Sequence, residues 1–468
     1  MHRKRRSLVK VVITVLLIWS ISIQVVLAQD NGGNSGKTLY LPFLGSSIQS
    51  TSNGGDDSSE LVQAAAVQPF GVKPRRNPST SITYRFDTSF SNKGTDWTNA
   101  FASAAADWSS STVSIVSNSS SSNVIKVAEI PSDPNEPVGA NTTSNYSISG
   151  SYLTNFVITV DPTPGTFTWY TGTGTPPIGS TQLDLKTFLR HELGHALGLE
   201  HNASSGTLMY ETLATQTILT PSAADRNGIK YLYDATYSGT PDPSLCEYSL
   251  ITAVGTYDNP SLQLGYGGSA NWVSATGFPK AYNGSVSYVN NSGARYWIVF
   301  QGSTITRRYT MAPNRSGVEI FIDGVSKGTM NDYSPYIHWQ AAKTWEVSSG
   351  SPHILEVRGT GSNYFDADAF VINTPHSAAG TYNNPGIGAS NVIGTWTTYS
   401  GTGPFNNDVI YSKNAQDAIY FTFKGTSITY YYTKDFNRGK ADVTIDGVSQ
   451  GLVDLWSPST VWCFCQGK

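Results

Sequence analysis

Residues 191–201 read His-Glu-Leu-Gly-His-Ala-Leu-Gly-Leu-Glu-His. Their types and spacing suit a metal ion with a base beside it. On a helix, His191 and His195 lie one above the other on the same face and can aim both imidazoles at one point. Gly198 reaches backbone conformations closed to other residues, so the helix can stop there and the chain can swing His201 back toward the same point. Three neutral imidazoles then hold one zinc. Three protein ligands leave a tetrahedral ion its fourth position for water, the arrangement of a catalytic zinc. Glu192, next to the first ligand, is placed to take that water's proton. Zinc lowers the pKa of bound water to about 7 and polarises a carbonyl, so the chemistry implied is amide hydrolysis. The competing reading is a core helix that carries histidines by accident, and the third histidine and the glycine at fixed offsets argue against it. The chain has seven histidines, and the only three between His2 and His338 are these ligands.

The elements that must position them read as an α+β domain over 78–236. Ile82–Phe86 alternates as a half-buried strand, and further strands are expected at 113–115, 124–130, 156–160 and 167–170. Trp97, Phe101, Ala104 and Trp108 recur at helical spacing and form a core stripe, with Thr95 or Asp96 as the cap. Thr181 with Asp184 gives a capping-box-like start to the histidine helix, and Thr220-Pro221 starts a closing helix with proline in its first turn.

Several segments resemble the metzincin zinc peptidases, and within them the matrixins most closely. They are the histidine motif itself, Met209 in Gly206-Thr207-Leu208-Met209-Tyr210, Asp184-Leu185-Lys186-Thr187 before the helix, and Asp225-Arg226-Asn227-Gly228-Ile229-Lys230-Tyr231-Leu232-Tyr233 after it. The resemblance implies a mixed sheet, an active-site helix, a methionine turn at Met209 beneath the metal, and a closing helix. It also implies His191, His195 and His201 as ligands, Glu192 as general base, and Tyr210 at the edge of a substrate pocket walled by 210–219. Asn202, Ala203 and Ser204 depart from the pattern, where a serine or threonine usually follows the third histidine and an aspartate comes soon after. No upstream histidine serves a second, structural zinc, and the first cysteine is Cys246, so one zinc and no cysteine latch are expected. Calcium is compatible with the loops holding Asp161 and Asn141, although neither belongs to a calcium-binding motif.

Length and composition frame the rest. The 468 residues allow several domains, and 13% charged residues is about half the usual share, polarity coming instead from Ser, Thr, Asn and 44 glycines. A net charge of −3 argues against a nucleic-acid partner. A basic start at 2–6, an apolar run over 11–23 and Val26-Leu27-Ala28 read as a signal peptide over 1–28, which implies secretion and no membrane association once it is cleaved. Residues 29–77 read as a flexible leader or short propeptide, and 237–245 as a linker.

Beyond it the chain repeats itself. Gly255-Thr256-Tyr257-Asp258-Asn259-Pro260 returns as Gly380-Thr381-Tyr382-Asn383-Asn384-Pro385, and Ile322-Asp323-Gly324 as Ile445-Asp446-Gly447. The period suits a whole domain, so 246–379 and 380–468 are expected to be tandem all-β sandwiches. Their pattern resembles jelly-roll modules of carbohydrate-binding type, with Trp339 and Trp462 at equivalent positions for stacking on a sugar or packing in a core. The first copy continues past Trp339 through Ile354–Val357 and Asp368–Ile372, whereas six residues follow Trp462, so the second copy is expected to be incomplete. Three cysteines imply no disulfide framework.

The expectation is a multidomain, secreted zinc endopeptidase acting on a protein or peptide, with sandwiches that direct it to a surface glycan or polysaccharide. The alternatives are a carbohydrate-binding adhesin with a self-processing protease domain and a zinc amidase cutting peptidoglycan cross-bridges.

Overall fold

Alternation at period two gives strands and stripes at period 3.6 give helices, and the computed structural model lays them out over residues 69–467, apart from 111, 131–139, 147–151, 179, 212, 214–217, 247–248, 260, 262, 269–271, 374–380, 384–391 and 424–426. The signal peptide, most of the leader and part of the loop 210–219 lie outside the described residues.

The first elements are β1 (Ser81–Phe86), α1 (Thr88–Ser91), α2 (Thr95–Trp108), β2 (Ser114–Ser117), β3 (Val124–Val127), β4 (Ala140–Tyr146), β5 (Leu153–Val160), β6 (Thr168–Tyr170), β7 (Gln182–Asp184), α3 (Leu185–Leu197) and α4 (Ala223–Tyr233). One sheet has the order β2-β1-β3-β5-β4. Its first four strands are parallel, and β4 runs antiparallel to β5 at the edge. The stripe Trp97, Phe101, Ala104 and Trp108 is buried, and α2 packs by it against α3.

Three helix starts differ from expectation. α2 is capped by Gly94 at φ +99°, a left-handed conformation that turns the chain before Thr95 and Asp96, which become first-turn residues. α3 is capped by Asp184, whose carboxylate accepts from the Thr187 backbone N–H at 2.8 Å. Thr181 is too far upstream because the short strand β7, paired with β6, intervenes. α4 starts with a complete capping box between Ser222 and Asp225, so Pro221 precedes the cap.

The first repeat is sandwich-like. One sheet has the antiparallel order 264–267, 295–301, 352–359, 317–322, 325–331, with 250–251 added parallel to 295–301, and a second has the order 338–346, 304–311, 369–372, 255–258. Ile298, Phe300, Ile320, Leu355, Phe370 and their neighbours fill the space between. The repeat is not suspended from a linker. Trp297, Val299 and Ile354 belong to the same buried cluster as the core of the α+β segment, and Trp297 meets Tyr231 of α4 edge-on at 4.9 Å. Arg295, fully buried, donates to the carbonyls of Asp234, Ala235 and Tyr237 at 3.0, 3.4 and 2.8 Å and lies over the Tyr231 ring. The Tyr231 hydroxyl donates to Glu356 at 3.3 Å.

Residues 69–77, read from sequence as the end of a flexible leader, form a strap between the two. Arg75 donates to the carbonyls of Ser261 and Leu264, and Arg76 to that of Gly268.

In the second repeat the described residues form four two-stranded pairs: 392–393 with 418–419, 397–400 with 408–411, 429–434 with 461–467, and 440–445 with 448–454. Each repeats a pairing of the first copy. There the strands 352–359, 365–367 and 369–372 join the pairs into wider sheets. Salt bridges Lys280–Asp417 and Lys343–Asp446 tie the two copies together. The two tryptophans singled out for sugar stacking are already engaged. Trp339 donates its indole N–H to Gln416 at 3.0 Å and packs beside Phe278, while Trp462 stacks on Tyr399 at 6.0 Å.

Two outcomes follow from this packing. Arg295→Met leaves three carbonyls and Glu356 short of a buried donor and is expected to cost about 3–5 kcal/mol, with the α+β segment and first repeat still unfolding in one urea transition. Two separate transitions would show them to be independent. In native-state hydrogen exchange, amides of the second repeat are expected to exchange at least about tenfold faster than those of 295–301 and 352–359, because two-stranded pairs are marginal alone. Equal protection would contradict this.

Candidate metal centre

Helix α3 delivers His191 and His195 on one face, and its end delivers His201. The stop comes at Gly198, φ +105°, where a Cβ would stand 3.0 Å from the Arg75 carbonyl, so only glycine fits the turn. The last carbonyls of the helix are not left to water. Asn77 Nδ2 donates to Ala196, the Tyr233 hydroxyl to Leu197 and the Lys73 backbone N–H to Gly198, at 3.0, 2.8 and 2.8 Å. Strap and closing helix therefore fix the point from which the chain turns to His201.

The three rings converge. His191 Nδ1 lies 2.7 Å from the Leu208 carbonyl and His195 Nδ1 2.9 Å from that of Leu199. A carbonyl can only accept, so each Nδ1 carries the proton and each Nε2 presents a lone pair. Yet His195 Nε2 is 3.1 Å from His191 Nε2 and 3.2 Å from His201 Nε2. Lone pairs held that close repel unless a cation sits among them. Nitrogens bound tetrahedrally at about 2.0–2.1 Å lie about 3.3 Å apart, so the spacing fits zinc. Among the described residues this is the one group of three or more His, Cys, Asp or Glu side chains close enough to share an ion. Burial pushes the His191 pKa down to about 4 and that of His195 well below its usual value, which keeps both in the neutral ligand form. His201 is exposed and marks the open side.

Glu192 is buried beside His191. The Lys73 ammonium of the strap, its pKa lowered by burial, is drawn back toward its charged form by Glu200 and Glu192, so a positive charge stands within electrostatic reach of the expected base.

Met209 lies under the helix. A Cβ on Gly194 would come 2.3 Å from Met209 Sδ and 3.0 Å from the Trp108 ring, so this glycine makes room for the sulfur. The turn also supplies the Leu208 carbonyl to His191, and the Met209 carbonyl accepts from the Asn202 backbone N–H at 2.8 Å. Asn202, a departure from the matrixin pattern, is buried and donates to Asp225 Oδ1 at 3.1 Å. Asp225 also accepts from the Met209 backbone, and although burial raises its pKa these hydrogen bonds oppose the rise. Asn202 and Asp225 thus link the third histidine, the methionine turn and α4. Tyr210 is half-buried and bridges to Asn202. The loop after it is anchored at Leu219, whose carbonyl accepts from Arg190 at 3.0 Å and whose N–H donates to Thr187 at 3.1 Å.

Asp161, considered for calcium, spends both carboxylate oxygens on the backbone N–H groups of Ile130 and Thr163. The Asn141 side chain lies outside the described residues. The sequence reading missed the roles of Asn77, Lys73, Tyr233 and Asp225. Each acts across a long separation, and only the aspartate at the start of the matrixin-like stretch 225–233 offered a signal.

The family comparison agrees with this geometry. Residues 75–234 match the matrixin family model. Stromelysin-3 of Xenopus laevis is 41% identical over 61 residues, 13% of this chain and 13% of that protein. The A type blood N-acetyl-alpha-D-galactosamine deacetylase of Flavonifractor plautii is 36% identical over 66 residues, 14% of this chain and 8% of that protein. The chain therefore matches only a small part of either relative. Among solved structures, the Agl-KA catalytic domain aligns with a TM-score of 0.22 at 15% identity, covering 28% of this chain and 30% of that one. The three converging imidazoles, the methionine beneath them and the family match together make residues 75–234 a matrixin-like metzincin segment.

Proposed function

We propose that the chain is a secreted, zinc-dependent endopeptidase whose sandwich repeats direct it to a glycan-bearing surface. The observation that carries the peptidase reading is the convergence of three imidazoles, with His195 Nε2 3.1 Å from His191 Nε2 and 3.2 Å from His201 Nε2, beside a buried carboxylate. His191, His195 and His201 would hold the ion, and zinc when bound supplies a Lewis acid for a carbonyl oxygen and acidifies water.

The chain's own residues do the rest. Leu208 and Leu199 carbonyls fix the tautomers, so both Nε2 atoms stay aimed at one point. Glu192 takes the proton of the attacking water as its oxygen bonds to the peptide carbon, then gives that proton to the amine nitrogen as the C–N bond breaks. β4 is the last strand of its sheet among the described residues and runs beside α3. Its outer edge can take an extended substrate as an added strand, which places a peptide bond next to the histidines. Tyr210 borders the side-chain pocket of the substrate. Secretion rests on the sequence of residues 1–28.

Glu192→Ala is expected to keep one zinc per chain and to lower casein hydrolysis by about 10² to 10⁴, whereas His201→Ala loses metal and activity together. Near-parental hydrolysis by the first variant, or full zinc content in the second, would overturn the assignments. A pH effect follows from the buried imidazoles. In the metal-free chain the folded pKa of His191 lies near 4 while the unfolded value is about 6.5, so the unfolded state binds more protons in between. Stability present above pH 6.5 is therefore lost as pH falls through 4, by up to about 3 kcal/mol from this residue. Urea midpoints of the chelator-treated chain that stay flat over that window would contradict the neutral, buried state.

A further inference from the structure

The two repeats are an internal comparison, because the same loop pair is built in both and decorated differently. In the first copy, Ala312 N–H donates to Asp332, Ser334 to Ala312, Arg315 to Ala312 and Asp332 to Ser316. In the second, Asp435 donates to Leu455, Ser457 to Asp435, Arg438 to Asp435 and Leu455 to Gly439, at 3.1, 3.1, 3.2 and 3.0 Å. The four backbone bonds correspond one to one, and so do the bridges Ala312 to Tyr333 and Asp435 to Trp456. The scaffold is retained and its crest is changed. Where the first copy presents Pro313 and Tyr333, the second presents Phe436 and Trp456, exposed to 69% and 55%.

These rings are not exposed merely because the second copy has fewer paired strands. Tyr333 occupies the place of Trp456 on the wider sheets of the first copy and is itself 49% exposed. The backbone that carries both rings is fixed by neighbouring carboxylates. Asp435 Oδ1 accepts from the Phe436 N–H at 2.8 Å, and Asp454 Oδ1 from that of Trp456 at 3.0 Å. Arg315 of the first copy is locked to Asp366, while its counterpart Arg438 lies over the Tyr411 ring at 5.4 Å.

We infer that Phe436 and Trp456 form a carbohydrate-binding platform, the rings stacking on pyranose faces and the neighbouring Asp435, Asn437, Arg438 and Asp454 serving the hydroxyls. This rests on the targeting role proposed above and gives it a place. A pyranose has a C–H face that lies against the negative face of an aromatic ring and a rim of hydroxyls that needs donors and acceptors, which is the mixture present here. Asp435 and Asp454 beside the rings are of a type depleted at the core of protein interfaces. Its aspartates repel anionic lipid headgroups.

The test uses the full chain carrying Glu192→Ala, to prevent self-cleavage, with pull-down on cellulose, chitin, xylan, peptidoglycan and mucin, and on phosphatidylcholine vesicles as the contrasting arm. The parent is expected to be retained by at least one glycan and not by vesicles. Adding Phe436→Ala and Trp456→Ala together should weaken retention at least about tenfold, with Tyr333→Ala neutral and the melting midpoint unchanged in both. Retention of the double variant at the parental level would overturn the platform while leaving glycan targeting intact. Absence of binding to every glycan, or capture by the vesicles alone, would overturn the platform and the targeting role together. A clear fall in the melting midpoint of the double variant would show the rings to be packing residues and also overturn the platform.

Discussion

Holding the Nε2 of His195 about 3 Å from those of both His191 and His201 is unfavourable without a cation among them, and the surrounding structure is arranged to sustain it. Two carbonyls fix tautomers, three donors close the end of α3, and a methionine occupies the space left by Gly194. None of these partners is a ligand. Apart from the Leu199 carbonyl, they come from the strap, the closing helix and the turn after His201, so the geometry of one helix face is set by segments more than a hundred residues apart.

The same segments bind the catalytic part to the first repeat. Tyr233 caps α3 from α4, Arg295 of the repeat holds the carbonyls just beyond α4, and Arg75 and Arg76 reach from the strap into the repeat's edge. A buried arginine facing three carbonyls is costly to leave unpaired. The two parts therefore constrain each other's conformation as well as their position.

What was legible in the sequence was local. The histidine spacing, the carboxylate beside it and the buried stripe of α2 depend on spacing over a few residues, and Met209 was legible through the matrixin resemblance. Helix starts were less legible, since an aspartate at 184 or a serine at 222 competes with threonines nearby and the choice depends on whether a strand intervenes. The strap was illegible. Pro69–Asn77 is polar and irregular by composition, and its order comes from carbonyls and rings supplied by distant chain. Likewise Trp339 and Trp462 looked alike in the repeat alignment, but their neighbours come from other strands and decide that both are occupied.

The continuous core between catalytic segment and first repeat has a consequence for descent. By sequence, the linker 237–245 is where a recombination breakpoint would do least harm. A cut there separates Trp297 from Tyr231 and strips Arg295 from the end of α4, leaving each half with a buried face open to water. Exchange of modules at that point would be selected against, so the matrixin-like segment and its first sandwich would be inherited as a single piece, whereas the second repeat, joined by polar side chains and salt bridges such as Lys280–Asp417 and Lys343–Asp446, is the part free to be gained, lost or redecorated.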